Sequence, residues 1–284
     1  MNKKVVAMIA IKGAIARGGG KRSDLSYLPY ARATWEWWCA ERGIEFVVVE
    51  ETEGTKRLPD APPTMQRWFV PAEIIRARGP ETRVALVDAD TMIRWDAPDF
   101  LAFSPDNLVA VTGRNYQWIQ RSIFAFQQMF PTVALRPEEY FNAGLVVVGP
   151  KQLDTLAKFC EFCGKHLPEL QDISRSAEVG TDQTPLNFVV RQESAAVSFL
   201  DRRFNFLNCF GYENETRRYF EFSPAPDWSA FSERAFSAPQ AFDFIETGFI
   251  WHFTNVVAAR TPVMAETWRR VKDRYPPTVV NSPS

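Results

Sequence analysis

Strand-length apolar runs alternate with helix-length segments along the first 115 residues, and this alternation constrains the fold more than any other feature. The runs are Val5–Ile11, Ile44–Val49, Val84–Val87 and Leu108–Thr112. They lack the polar alternation of a half-exposed strand, as strands buried on both faces do. Between them, Ser26–Arg42 reads as a helix, with Pro29 in its first turn and Gly43 just past its end. Pro63–Arg78 reads as a second helix, broken or kinked at Pro71. Strands separated by helices predict an α/β fold with a mostly parallel sheet.

The second half is less regular. Tyr140–Gly149 holds a strong apolar strand, Leu145–Val148, and Lys151–Leu170 reads as a long amphipathic helix. Asp182–Arg191 reads as a shorter helix and Ala196–Leu200 as a strand. Residues 201–250 are rich in Phe, Asn and Pro with few periodic runs, and Pro276–Ser284 reads as a flexible polar tail. No Gly/Ser or Pro-rich linker divides the chain. A single domain is therefore expected over 1–275, with a nucleotide-binding half at 1–115 and an acceptor-side half at 116–275.

Charge and cysteine usage remove several function classes. The 33 Lys and Arg balance 34 Asp and Glu, so there is no positive field of the kind nucleic acid selects. Four cysteines in 284 residues are too few for a disulfide scaffold and point to a reducing, cytoplasmic setting. No segment reaches the ~20 apolar residues of a membrane span. Met1–Lys4 followed by Val5–Ala10 has the outline of a signal peptide. Lys12 interrupts the run, however, and no small-residue cleavage site follows, so it reads as a first strand.

The most informative stretch is Arg83-Val84-Ala85-Leu86-Val87-Asp88-Ala89-Asp90-Thr91. A buried strand ends in two carboxylates, at the end where open α/β sheets bind ligands. Two carboxylates separated by one residue point the same way off an extended backbone and can reach one cation. Hard oxygen ligands suit Mg²⁺ or Mn²⁺, which commonly bind through carboxylates and phosphate oxygens together. The plainer reading, a pair of solvated turn acids, is weakened by the apolar strand in front of them.

With these residues in place the sequence resembles the GT-A glycosyltransferases, and family 8 in particular. A buried strand ending in Asp88-Ala89-Asp90-Thr91 matches their Asp-x-Asp signature. Phe141-Asn142-Ala143-Gly144 looks like the family's "FNAG" strand, Asp182-Gln183-Thr184-Pro185-Leu186-Asn187 like its "DQxxLN" helix start, and Trp251-His252-Phe253 like its C-terminal histidine motif. Each is short, but four in order over roughly residues 60–260 make the likeness specific.

The resemblance implies a GT-A fold, Rossmann-like, with a mixed, mostly parallel sheet flanked by helices. It implies transfer of a hexose or similar sugar from a nucleoside diphosphate, UDP favoured, to a carbohydrate or other hydroxyl acceptor, with retention at the anomeric carbon. Asp88, Asp90 and His252 would hold Mn²⁺ or Mg²⁺. Asp182 and Gln183 would be the catalytic pair beside the sugar. Lys12, Arg67, Asp88, Ala89, Asn142, Ala143, Gly144 and Arg260 would contact the donor. Neither a nucleic-acid partner nor a membrane span is expected.

The chain also departs from the family. The Gly and Lys expected three and six residues after the histidine are Asn255 and Ala258 here, which leaves Arg260 to meet the diphosphate if the loop is re-registered. The family's Asp-rich turn after the first strand is replaced by Lys12-Gly13. Arg67 and Lys12 each have a bland alternative as solvated surface cations.

Other features have ordinary explanations. Gly18-Gly19-Gly20-Lys21-Arg22 fails the P-loop spacing and reads as a loop, with a lid over the donor as the sharper alternative. Cys160-x₂-Cys163 with His166 supplies at most three zinc ligands and lies on a helix. Trp35, Trp37 and Trp38 read as packing residues. Tyr212, Tyr219, Phe220 and Trp228 would line either an acceptor groove or a satellite core.

Two other function classes share parts of the pattern. A haloacid dehalogenase-type phosphatase needs Thr four places after its Asp nucleophile, whereas Thr91 is three places after Asp88. A non-catalytic nucleotide-sugar-binding module would keep the fold, and the altered region from His252 to Arg260 is compatible with it.

Overall fold

The computed structural model describes residues 3–11, 25–207, 241–254 and 260–276. Lys12, the Gly18–Arg22 run, the aromatics Tyr212, Tyr219, Phe220 and Trp228, the positions Asn255 and Ala258, and the tail beyond Pro276 lie outside these residues. The chain gathers into two compact units, each assembled from several stretches. The first draws on Met1–Ser23, Val47–Val87 and Asp99–Asp201, the second on Asp24–Phe46, Asp88–Pro98 and Arg202–Ser284.

A six-stranded sheet organises the first unit. Its strands are β1 (Lys4–Ile9), β2 (Glu45–Val49), β3 (Arg83–Asp88), β5 (Leu108–Thr112), β6 (Phe141–Val148) and β7 (Val197–Leu200), in the order β2-β1-β3-β6-β5-β7. β6 runs antiparallel to both neighbours, and β5 pairs parallel with β7. β3, β5 and β7 therefore share one direction, giving the mixed, mostly parallel sheet the sequence predicts. The runs of β1, β3 and β5 are buried on both faces, which is why they read as continuous rather than alternating, whereas Ile44–Val49 forms the edge strand β2 and is only partly buried.

Several helices differ from expectation for identifiable reasons. The segment from 63 to 78 is α3 (Pro63–Gln66), a 3₁₀ turn (Arg67–Phe69) and α4 (Val70–Arg78). Pro71 does not break a helix; it occupies the first turn of α4, where its missing N–H costs nothing. A short helix, α2 (Glu53–Arg57), precedes them, its N–H of Gly54 capped by Thr52 Oγ1 at 2.7 Å. α5 (Tyr116–Phe126) was not anticipated, although Asn115 caps it by accepting from the N–H of Trp118. α6 (Leu153–Ala177) outruns its expected end because Pro168 only kinks it, with His166 leaving helical geometry. α7 (Gln183–Gln192) starts where the "DQxxLN" string does.

In the second unit, α1 (Leu28–Ala40) buries Ala31, Thr34, Trp35, Trp38 and Cys39, one helical stripe. Gly43, at φ +62°, supplies the left-handed turn that ends it. The stripe packs on β4 (Thr91–Ile93), which pairs antiparallel with β8 (Ile250–His252). Trp35 Nε1 donates to Thr91 Oγ1 at 3.1 Å and Trp38 Nε1 to Ala97 O at 2.8 Å, so the tryptophans of α1 are packing residues with satisfied indoles. A last helix, α8 (Arg260–Val271), also packs on α1.

Candidate active site

Of the expected site residues, the second unit brings together Asp88, Asp90, His252 and Arg260. Asp88 closes β3, and β4 begins three residues later. The β4–β8 register sets Thr91 opposite His252, and the N–H of Phe253 donates to Asp90 O at 2.9 Å. That pairing carries the histidine to the carboxylates. His252 Nε2 lies 3.4 Å from Asp88 Oδ2 and 3.3 Å from Asp90 Oδ1. On its other side Nδ1 is 2.8 Å from Asn205 Oδ1. An amide oxygen only accepts, so that contact assigns the proton to Nδ1 and aims Nε2 at the carboxylates. Asn205 is a residue the sequence reading missed. It reaches the site because Phe206 bridges to Trp251, a tertiary pairing with no local sequence signal.

Electrostatics ties the group together. Burial alone would push the Asp90 carboxyl up, but the His252 imidazole and the Arg260 guanidinium outweigh it and hold the group down at about 2. For His252 burial lowers the pKa, and the Asp90 and Asp88 carboxylates reverse this and raise it. The hydroxyl of Tyr27 is raised by burial first and then by Asp90.

The donor set fits a divalent cation. One carboxylate oxygen from each Asp and one imidazole nitrogen lie within 4.8 Å of one another. An imidazole fixed through its other nitrogen is the usual arrangement of a metal-ligating histidine. Among the described residues this is the group of three or more such ligands. Cys160, Cys163 and His166 do not form one; His166 Nδ1 faces Glu169 at 3.3 Å.

The first unit brings together the remaining expected residues, apart from Lys12 and from Ala89, which lies buried between the two acids in the second unit. β6 slips against β5: Ala110 pairs with Val146 but Val111 with Asn142, so Ala143, Gly144 and Leu145 bulge away from β5 between the two pairings, while Leu145 keeps its register with Val87 of β3. Side chains satisfy the freed backbone groups. The N–H of Ala143 donates to Gln183 Oε1 at 2.8 Å, and that of Gly144 to Asn142 Oδ1 at 2.8 Å. Arg67 Nη2 donates to Ala143 O at 2.8 Å.

The start of α7 is clamped by the same network. Asp182 Oδ2 lies 3.4 Å from Arg67 Nη2 and accepts from Trp68 Nε1 at 3.2 Å. Gln183 Nε2 donates to the Tyr140 hydroxyl at 3.0 Å, which in turn bonds Thr184 at 2.7 Å. Burial pushes the Tyr140 hydroxyl well up, so it stays a neutral bonding partner. Asn187 Oδ1 accepts from the N–H of Phe141 at 2.9 Å while its Nδ2 donates to Phe141 O at 3.0 Å. Arg67 is 4% exposed and so is not the solvated cation that was its bland alternative. Trp68 and Tyr140 are the members of this network that sequence reasoning missed.

No protein-family model matches the sequence, and no curated protein matches it. Solved structures do. A glycosyltransferase involved in glycosylation of the major capsid of PBCV-1 is 11% identical, with 93% of this chain and 99% of that chain covered and a TM-score of 0.52. The WbbM bifunctional glycosyltransferase is 15% identical over 96% of this chain and 51% of that one, at a TM-score of 0.48. The galactosyltransferase LgtC, solved with donor and acceptor sugar analogues, is 12% identical over 94% and 99%, at 0.41. At such identities a likeness speaks to architecture, and the first comparison carries it: the chain resembles glycosyltransferases of the GT-A fold in its mixed, mostly parallel sheet flanked by helices.

Proposed function

We propose that this protein is a glycosyltransferase that moves a sugar from a nucleoside diphosphate, UDP favoured, to a hydroxyl acceptor of carbohydrate or similar chemistry. The observation that carries the reading is the convergence of Asp88, Asp90 and buried His252 on one point at the end of a buried strand. Two carboxylates and an oriented imidazole suit Mn²⁺ or Mg²⁺. Such an ion, when bound, supplies positive charge against the leaving diphosphate. Arg260 offers a cation to the donor's phosphates; Ala89, between the two acids, and Lys12 are assigned to the donor on sequence alone.

In the first unit, Asn142, Ala143 and Gly144 are assigned to the sugar. Asp182 is assigned to the face of the anomeric carbon opposite the leaving group, where a carboxylate stabilises developing positive charge. Arg67 and Trp68 fix that carboxylate, and Gln183 holds the bulged backbone of β6. Retention at the anomeric carbon follows from the family resemblance and is read by NMR of the first-formed product.

The test is thermal denaturation with Mn²⁺ and a panel of nucleoside diphosphates, followed by donor hydrolysis. Mn²⁺ with UDP is expected to raise the midpoint by mass action. Asp88→Asn and Asp90→Asn are expected to abolish both the shift and turnover. Full activity in either variant would refute the reading; binding without hydrolysis or transfer would favour a non-catalytic module.

A further inference from the structure

A cation of the chain itself already stands beside the carboxylate pair. Arg260 opens α8, and its Nη2 lies 3.1 Å from Asp90 Oδ2. Its Nε donates to Phe253 O at 3.1 Å and Nη2 to Thr254 O at 3.2 Å, the two carbonyls that directly follow His252. Its guanidinium sits 5.3 Å over the Tyr27 ring. A side chain only 18% exposed and bonded to two backbone carbonyls is a fixed charge rather than a swinging one.

The charges then decide what the site accepts. With neutral imidazole, two carboxylates and one guanidinium leave one net negative charge. A divalent ion alone converts this to one net positive charge and must share Asp90 with Arg260. A diphosphate brought in with the ion restores negative charge and gives the guanidinium a second anion to face. We propose that Arg260 is a built-in antagonist of the lone metal ion, so that the site takes up the divalent cation and the nucleoside diphosphate together rather than the cation first. Such coupling is reciprocal: whatever UDP adds to Mn²⁺ affinity, Mn²⁺ adds to UDP affinity. This rests on the reading of Asp88, Asp90 and His252 as metal ligands.

Titration of free Mn²⁺ by electron paramagnetic resonance, with and without UDP, tests it. Arg260→Gln is expected to bind Mn²⁺ alone on the order of tenfold more tightly than the wild type, and the gain from UDP is expected to shrink by a similar factor. Arg260→Lys, which keeps the charge, is expected to retain the wild-type pattern. Arg260→Met, which keeps an apolar stem against Tyr27, covers the case in which the Gln variant fails to fold, as judged by the unliganded melting midpoint. If both neutral variants bind Mn²⁺ no more tightly than the wild type, the proposal is overturned. Asp88→Asn separates the two levels. If it binds Mn²⁺ as the wild type does, the metal reading itself falls and the proposal with it.

Discussion

Single residues in this protein are set by what surrounds them more than by what precedes them. Asp90 and His252 show it through opposite pH dependences. Asp90 is held at about 2 against an ordinary 3.8, so its contribution to stability is present above that ordinary value and is lost as pH falls toward about 2. The shift corresponds to ~2 kcal/mol. His252 is raised above its ordinary 6.5, so its contribution is present below that value and is lost as pH rises through the folded value. Metal-free protein in EDTA is therefore expected to show its highest urea midpoint in mildly acidic solution, between roughly pH 4 and pH 6.5. A midpoint still rising above neutrality would contradict these two shifts. Cysteines follow the same logic. Burial pushes Cys160 up to about 12 and Cys163 well up, so neither is expected to alkylate at an appreciable rate with iodoacetamide near pH 8 in the folded state. Peptide mapping after labelling checks it.

At the scale of elements, the sequence was legible where a pattern is local. The strand runs, the start of α7 and the turn at Gly43 all carry their cause within a few residues. Arg67 was named from the sequence, but its burial was not legible there. It opens the 3₁₀ turn Arg67–Phe69, and its burial rests on Ala143 O and Asp182, partners that only folding brings to it. Gly54 bears on that turn, because a Cβ there would lie 2.5 Å from Gln66 O and 2.7 Å from the Phe69 ring. Gly54→Ala is expected to cost about 1–3 kcal/mol by forcing α2 off the turn. A melting midpoint equal to that of the wild type would show that the contact relaxes freely. Asn187 is the other joint: it bonds both backbone groups of Phe141, and Asn187→Leu is expected to cost about 2–3 kcal/mol by leaving them unpaired. Neither contact is written locally, because each joins segments brought together only by folding.

On the scale of the whole molecule, the motifs separated widely along the chain resolve into two groups of side chains, one in each compact unit. Order along the sequence identified their members, with Asp88, Asp90 and His252 foremost; it did not supply Asn205, Trp68 or Tyr140, whose signals are purely tertiary. Among the described residues, no helix is long and apolar enough to cross a membrane. The pairing of β4 with β8 has a further consequence, for timing. Its partners, Thr91 and His252, are joined by hydrogen bonds across some 160 residues of chain, so the loop closed is long and its contacts form late. During refolding, the capacity to capture Mn²⁺ is expected to lag behind the far-ultraviolet circular dichroism signal, and simultaneous recovery of the two would contradict this. A ribosome-bound chain that has not yet emerged past β8 would own both carboxylates and still lack the third of the proposed ligands, so on that proposal ion capture would announce that synthesis has passed that strand and that the two distant segments have met.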